Sequence, residues 1–366
     1  MRVLQLIDSL PLAGAEVLVK DVAPRLRKRG VECDVAVLRK LHSPLESLLQ
    51  DAGVPLHSTG VTNLYSPRQV KPLAKLMRNY DIVHVHLFPA QLWAVLGLVW
   101  LATRVPLVTT EHGTSNSRRR WWLRPFDEWL YPHYEYIACN SEATAGELVR
   151  WCPSIGPKIR VIPNGIPLED FETAQPADLP QVPSDVPRLV FVGRFETPKD
   201  HPTVLRALAE VARAHLLFVG DGSLRPLAEK LARSIGVAAR VTFLGRRRDV
   251  PGILRAADIY LHSTTFDGFG IAACEAMAAG LPVIASDVPG LAQVVQGAGI
   301  LFPVGDHAAL AREIQALLAS PERRREMSNA SRRRARCFSI DNTVDGYLAM
   351  YESVLQRQAK PVGAAV

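Results

Sequence analysis

The run Phe266-Asp267-Gly268-Phe269-Gly270-Ile271-Ala272-Ala273-Cys274-Glu275-Ala276-Met277-Ala278-Ala279-Gly280-Leu281-Pro282-Val283-Ile284-Ala285 decides the fold class. An apolar segment, Ile259-Tyr260-Leu261, leads into it. Two glycines loosen the backbone, a helix-forming run follows, and Gly280-Leu281-Pro282 stops it before a β-rich segment. The pattern predicts strand, loop, helix, strand. The loop carries the carboxylate of Asp267, and the helix carries that of Glu275 eight residues later. Glycines at a helix N-terminus let backbone N–H groups approach an anionic ligand closely. A carboxylate about a turn into the helix can hold neutral hydroxyls beside that anion. Together these features suit a diphosphate joined to a hydroxyl-rich sugar.

Outward from this run, short β-rich segments alternate with helical ones. Upstream in the same half, the pattern predicts strands at Leu189–Val192, Leu216–Val219 and Val241–Leu244, with helices at Pro202–Ala212 and Leu224–Ser234. Downstream come a strand at Ile300–Phe302 and helices at Ala308–Leu318 and Glu322–Arg336. The first half repeats the theme: strands at Arg2–Ile7, Cys33–Leu38, Ile82–His86, Leu107–Thr110 and Ile137–Cys139, with a helix over Gly14–Arg29. Ser141 caps a further helix, with Glu142 in its first turn. Strands separated by helix-length segments imply βαβ units and parallel sheets. The expected division is a first domain over 1–165, a Pro-rich linker over 166–187 and a second domain over 188–340. A last helix, Asn342–Gln358, carries Val344, Tyr347, Leu348, Tyr351 and Leu355 at helical spacing.

The totals bound the class. A chain of 366 residues, 48% hydrophobic and 22% charged, is a folded protein with room for two ordinary domains. Its net charge of +7 suits an acidic small ligand, an anionic membrane surface or nucleic acid. The arginine runs 323–325 and 332–334 read as solvated faces. Five scattered cysteines form no C-x-x-C pair and no zinc spacing, which fits reduced thiols in the cytosol. The N-terminus is too short in apolar residues for a signal peptide. The apolar stretch Leu92–Ala102 is shorter than the ~20 residues of a bilayer span and reads as a buried helix.

Several residues carry candidate chemistry. Arg194 and Lys199 lie in Gly193-Arg194-Phe195-Glu196-Thr197-Pro198-Lys199, directly after a predicted strand, where open parallel sheets bind ligands. A guanidinium fork and a compact ammonium on one loop make a diphosphate clamp. The chain has no Asp-x-Asp, so these cations and helix dipoles, rather than a metal, are expected to neutralise a leaving diphosphate. Gly14 opens the first helix and gives backbone access there. His112, beside Gly113 at a strand end, can exchange a hydrogen bond with a sugar hydroxyl. His84 and His86 share one face of their strand and are candidates for supporting positions. In Ser117-Arg118-Arg119-Arg120-Trp121-Trp122-Leu123-Arg124, cations mix with indoles. That mixture suits an anionic membrane interface, or a basic loop whose tryptophans pack internally.

With these motifs in place, the chain resembles the retaining glycosyltransferases of family 4, which have the GT-B fold. The resemblance spans nearly the whole chain. It rests on Asp267-Gly268-Phe269-Gly270-Ile271 with Glu275-Ala276-Met277-Ala278-Ala279-Gly280-Leu281-Pro282-Val283. Supporting pieces are Val192-Gly193-Arg194 with Lys199, Val219-Gly220-Asp221-Gly222, Val161-Ile162-Pro163-Asn164-Gly165 and Gly14-Ala15-Glu16. It implies an α/β GT-B architecture, two Rossmann-like doubly wound domains facing across a cleft, with the last helix packing back on the first domain. It implies that Arg194 and Lys199 bind and stabilise the donor diphosphate. It implies that Glu275 holds the ribose and that Gly268, Phe269, Gly270 and Ile271 bring backbone to phosphate and sugar. His112 would approach the donor sugar, and Arg246 would lie near the nucleobase. The first glutamate of the family pair is Asp267 here, shorter by roughly 1.5 Å of reach. The N-terminal turn has Ala13 where glycine is common.

The expected activity is transfer of a sugar from a nucleoside diphosphate sugar to a glycan or lipid-linked acceptor. It proceeds with retention, without metal or cofactor, in the cytoplasm at the inner face of the membrane, in cell-envelope polysaccharide biosynthesis. No partnership with nucleic acid is expected, because the arginine runs lack interleaved aromatics apart from Trp121 and Trp122. The alternatives are a catalytically silent nucleotide-sugar-binding protein and a nicotinamide-dependent oxidoreductase. The second rests on Gly268-Phe269-Gly270 with Ala273 and Asp287, but these glycines fall several residues after the strand.

Overall fold

The computed structural model describes residues 1–100, 105–113, 119–183 and 185–359. They form two compact units, Met1–Gly165 with the chain from Ile340 onward, and Ile166–Ser339.

The first unit is built on a parallel sheet of β1 (Arg2–Ile7), β2 (Glu32–Val37), β3 (Leu56–Ser58), β4 (Ile82–His86), β5 (Leu107–Glu111), β6 (Tyr136–Cys139) and β7 (Ile159–Val161). Their spatial order is β3-β2-β1-β4-β5-β6-β7, with Val3 beside both Cys33 and Ile82. Alternate residues feed opposite cores. Val3, Ile7, Val35 and Ile82 face one side; Leu4, Leu6, Val83 and Val85 face the other. Helices cover both faces, which is why these strands read as apolar throughout. The helix Ile340–Ala359 returns to this unit and closes the first face. Its Val344, Tyr347, Tyr351 and Val354 recur at three- and four-residue steps, so they share one stripe beside Leu18, Val22 and Leu26 of the helix Gly14–Lys28. Each such buried side chain contributes about 1.5–3 kcal/mol.

The second unit repeats the plan with β8 (Arg188–Val192), β9 (His215–Val219), β10 (Val241–Gly245), β11 (Ile259–His262), β12 (Val283–Ser286) and β13 (Gly299–Phe302). The order is β10-β9-β8-β11-β12-β13, all parallel. In both sheets the strand order reverses beside the first strand, between β1 and β4 and between β8 and β11. Open parallel sheets bind ligands at the C-terminal ends of the strands flanking such a reversal.

Three expectations change. Residues 166–187, expected as a linker, join the second unit. Ile166, Phe171, Leu179 and Val182 sink into its core, and the Ala177 N–H donates to the Gly252 carbonyl at 2.8 Å. The prolines there turn the chain between apolar anchors instead of freeing it. The arginine runs are only partly solvated. Arg324 donates to the Leu317 and Leu318 carbonyls at 2.6 and 2.8 Å, and Arg334 to those of Gln293 and Val294 at 2.6 and 3.0 Å. Each thereby satisfies carbonyls at the end of a neighbouring helix. The apolar segment near residue 95 forms the helix Ala90–Trp100, with Trp93 buried and Trp100 exposed. Its expected end at residues 101 and 102 lies outside the described residues. Among the described residues no helix is long and apolar enough to cross a membrane.

Candidate active site

In the second unit the loop after β8 is sewn to the loop after β11. Asp200 N–H donates to the Ser263 carbonyl at 3.1 Å and Thr265 N–H to that of Pro198 at 3.0 Å, with Lys199 bridging to Thr264 in antiparallel fashion. This seam carries Lys199 across the strand-order reversal. Its Nζ lies 2.6 Å from Asp267 Oδ2 and 2.7 Å from His262 Nε2. An ammonium only donates, so His262 Nε2 accepts, and His262 Nδ1–H faces the Tyr260 hydroxyl at 3.1 Å. Burial lowers the pKa of His262, and the Lys199 charge lowers it further. Burial alone would raise the Asp267 carboxyl, but the Lys199 ammonium outweighs it and holds it well below the usual carboxylate range. The second oxygen of Asp267 accepts from Phe269 N–H at 3.1 Å. That amide, expected to face a phosphate, is therefore occupied by the loop's own carboxylate.

Gly270 follows with φ of 90° and caps the helix Ile271–Ala278. The left-handed turn is why a glycine stands there. Glu275 is half-buried on this helix, close enough to Tyr260 to raise its phenol after burial has done so. Phe269 is in the core, edge-on to Phe338 at 5.5 Å. Gly268 belongs to the Asp267 loop, against which the backbone of Gly290 packs. Arg194 is exposed at the mouth of β8. Arg246 is exposed after β10, two strands from β8 and so roughly 10 Å along the sheet. Lys199 and Asp267 are thus brought together, while Arg246 stands apart from them.

In the first unit Gly14 begins its helix with Ala13 extended at φ −144°. His112 follows β5, and Asn140 holds its carbonyl with a 2.8 Å hydrogen bond. Its Nε2 meets His86 Nδ1 at 3.0 Å, and His86 Nε2 meets Gln5 Oε1 at 2.8 Å. His84 bonds the Tyr351 hydroxyl at 2.6 Å and Thr110 Oγ1 at 2.7 Å. Burial pushes His112 down to about 4 and His84 to about 3, with the neighbouring imidazole adding to the second. It drives His86 well below its ordinary value. All three rings are neutral at pH 7.

Sequence reasoning missed His262, Gln5 and Tyr351. His262 was visible as a polar residue ending an apolar strand, and Gln5 as the lone polar residue inside Val3-Leu4-Gln5-Leu6-Ile7. Tyr351 carried no signal beyond core spacing. Trp121 and Trp122 stand 80% and 54% exposed, so they do not pack internally. Ser117 and Arg118 of the same stretch lie outside the described residues.

Two Rossmann-like units, each a parallel sheet whose strand order reverses beside its first strand, define a GT-B protein. Residues 12–170 match Glycosyltransferase Family 4, and residues 178–334 match Glycosyl transferases group 1. A D-inositol 3-phosphate glycosyltransferase of Segniliparus rotundus is 35% identical, over 94% of this chain and 85% of that protein. One from Nocardia farcinica is 29% identical over 93% and 85%. Among solved structures, Anabaena HepE in complex with UDP superposes with a TM-score of 0.84 at 20% identity, over 96% of this chain and all of that one. Sucrose-phosphate synthase from Thermosynechococcus elongatus does so at 0.79 and 20% identity, over 98% and all of that one. The chain belongs to the family-4 glycosyltransferases and uses a nucleotide sugar.

Proposed function

We propose that this glycosyltransferase moves its sugar from a nucleoside diphosphate sugar with retention at the anomeric carbon and without a divalent ion. The observation that carries this reading is Lys199, a cation held at the β8–β11 reversal by Asp267 and His262. A diphosphate arriving there meets an ammonium, with the exposed Arg194 guanidinium on the same loop, so charge developing on the leaving phosphate is countered locally. The sugar–phosphate C–O bond breaks as an acceptor oxygen bonds the anomeric carbon from the same face. The acceptor proton passes to the departing phosphate. His112 meets a donor-sugar hydroxyl, Glu275 the ribose, and Arg246 the base. Asp267 acts chiefly by positioning Lys199.

The acceptor is a glycan or a lipid-linked glycan in envelope polysaccharide assembly, reached from the cytoplasmic face of a membrane. Exposed Trp121, Trp122 and Trp129 beside Arg120 and Arg124 favour weak docking on anionic lipid. A second acceptor class, a phosphorylated polyol, is favoured by the relatives named for D-inositol 3-phosphate.

The test offers the enzyme a panel of nucleoside diphosphate sugars with either acceptor class, with and without EDTA, and reads product anomers by proton NMR. Retained configuration undiminished by EDTA supports the reading. An inverted product, or activity abolished by EDTA and restored by a metal ion, would overturn it. Flotation with liposomes that shows no dependence on anionic lipid removes the membrane element.

A further inference from the structure

The histidines of the first unit form a chain whose protons run one way. Gln5 Nε2 donates to the Tyr351 hydroxyl at 2.9 Å, and the amide also faces the Cys33 sulfur, whose thiol is directed to the Asp34 carbonyl. That turns Gln5 Oε1 toward His86, so the His86 Nε2 at 2.8 Å must carry hydrogen. A neutral ring has one N–H, so His86 Nδ1 is bare and accepts from His112 Nε2. His112 Nδ1 is then bare too. That atom is shielded from solvent and has no hydrogen-bond partner among the described residues. On the other branch, Tyr351 spends its proton on His84 Nδ1, which fixes His84 Nε2–H on Thr110. If the Gln5 amide were reversed, every proton would reverse, and His112 would present a donor instead.

We propose that Gln5 and Tyr351 are positioning residues that fix His112 in its Nε2–H form, so that its bare Nδ1 accepts a hydrogen bond from a ligand hydroxyl. The bare nitrogen selects a ligand that offers an O–H at that point and rejects one offering only a lone pair, as a deoxygenated or carbonyl-bearing sugar would. This rests on the reading that His112 meets the donor sugar, and it adds the direction of the bond and the residues that set it. The closing helix Ile340–Ala359 thereby supplies part of the donor site's chemistry through Tyr351.

The experiment uses the full chain labelled with 15N-histidine, with His112 assigned through His112→Gln, and reads tautomers from long-range 15N–1H correlations. The wild type is expected to show His112 as a single Nε2–H tautomer. Tyr351→Phe keeps the ring but removes the hydroxyl; it is expected to mix the His112 tautomers and lower kcat about tenfold with KM for donor little changed. Gln5→Leu, a second variant, is expected to do the same. A wild-type spectrum showing Nδ1–H overturns the proposal without any variant. So does wild-type kcat in both folded variants while His112→Gln is inactive. Full activity in His112→Gln instead removes the donor-sugar reading of His112, and the wild-type spectrum still reports whether the chain runs as described.

Discussion

Replacing Asp267 by Asn tests whether the loops after β8 and β11 are held by charge. The Lys199–Asp267 pair is 2.6 Å long, with 18% and 17% of the two side chains exposed. At an effective dielectric of about 20, Coulomb attraction at that separation is about 6 kcal/mol. Desolvation of both ions offsets much of it, and breaking a buried pair from one side costs about 3–5 kcal/mol. The residual exposure places this pair at the low end, near 3 kcal/mol. Asn keeps an oxygen for the Phe269 amide but turns its NH2 toward Lys199, so the single variant loses charge and acceptor together, and the cycle with Lys199→Met isolates the pair. The cycle comprises Asp267→Asn, Lys199→Met and the double variant. All six tryptophans lie in the first unit, so indole fluorescence does not follow the second. Hydrogen exchange read by mass spectrometry on β8 and β11 peptides does. A coupling energy of about 1.5–3 kcal/mol is expected. A coupling below about 0.5 kcal/mol would refute the argument, because that is the scale of a solvated pair. The acid limb provides a second check. The folded carboxyl is depressed, so the unfolded chain takes up the proton first as pH falls. The stabilisation is present above the unfolded value near 3.9 and declines below it, and Asp267→Asn should flatten that limb.

Three further outcomes follow from the same geometry. Gly290→Ala places a methyl 2.4 Å from the Asp267 carbonyl oxygen, which should cost about 1–3 kcal/mol and raise KM for donor; steady-state kinetics with denaturation checks both. His262→Ala removes one acceptor from Lys199 and is expected to raise KM for donor several-fold, with His262→Gln partly restoring it, as donor titration would show. The first unit should weaken as pH falls from about 6.5 toward 4, because its buried histidines have depressed values and protonate first in the unfolded chain; tryptophan-monitored denaturation across that window tests it.

The strands were legible because burial on both faces writes a continuous apolar run, as in Leu189-Val190-Phe191-Val192. The turn into the helix Ile271–Ala278 was legible through Gly270, and the loop after β8 through the cations it carries. What stayed hidden was pairing. Lys199 and His262 are 63 residues apart, and no local period links them. Gln5 and Tyr351 are separated by 346 residues, and each reads alone as an oddity in a strand or a core tyrosine. The 166–187 stretch misled because proline density marks turns but says nothing about whether the residues between them are buried.

The first unit takes its last helix from the far end of the chain, while the second is one continuous segment. On the ribosome the later-encoded unit can therefore finish folding before the earlier one. Until Tyr351 has emerged, the apolar face that this helix covers stays open to water, so a nascent or prematurely terminated polypeptide exposes a surface that proteases and chaperones can sense.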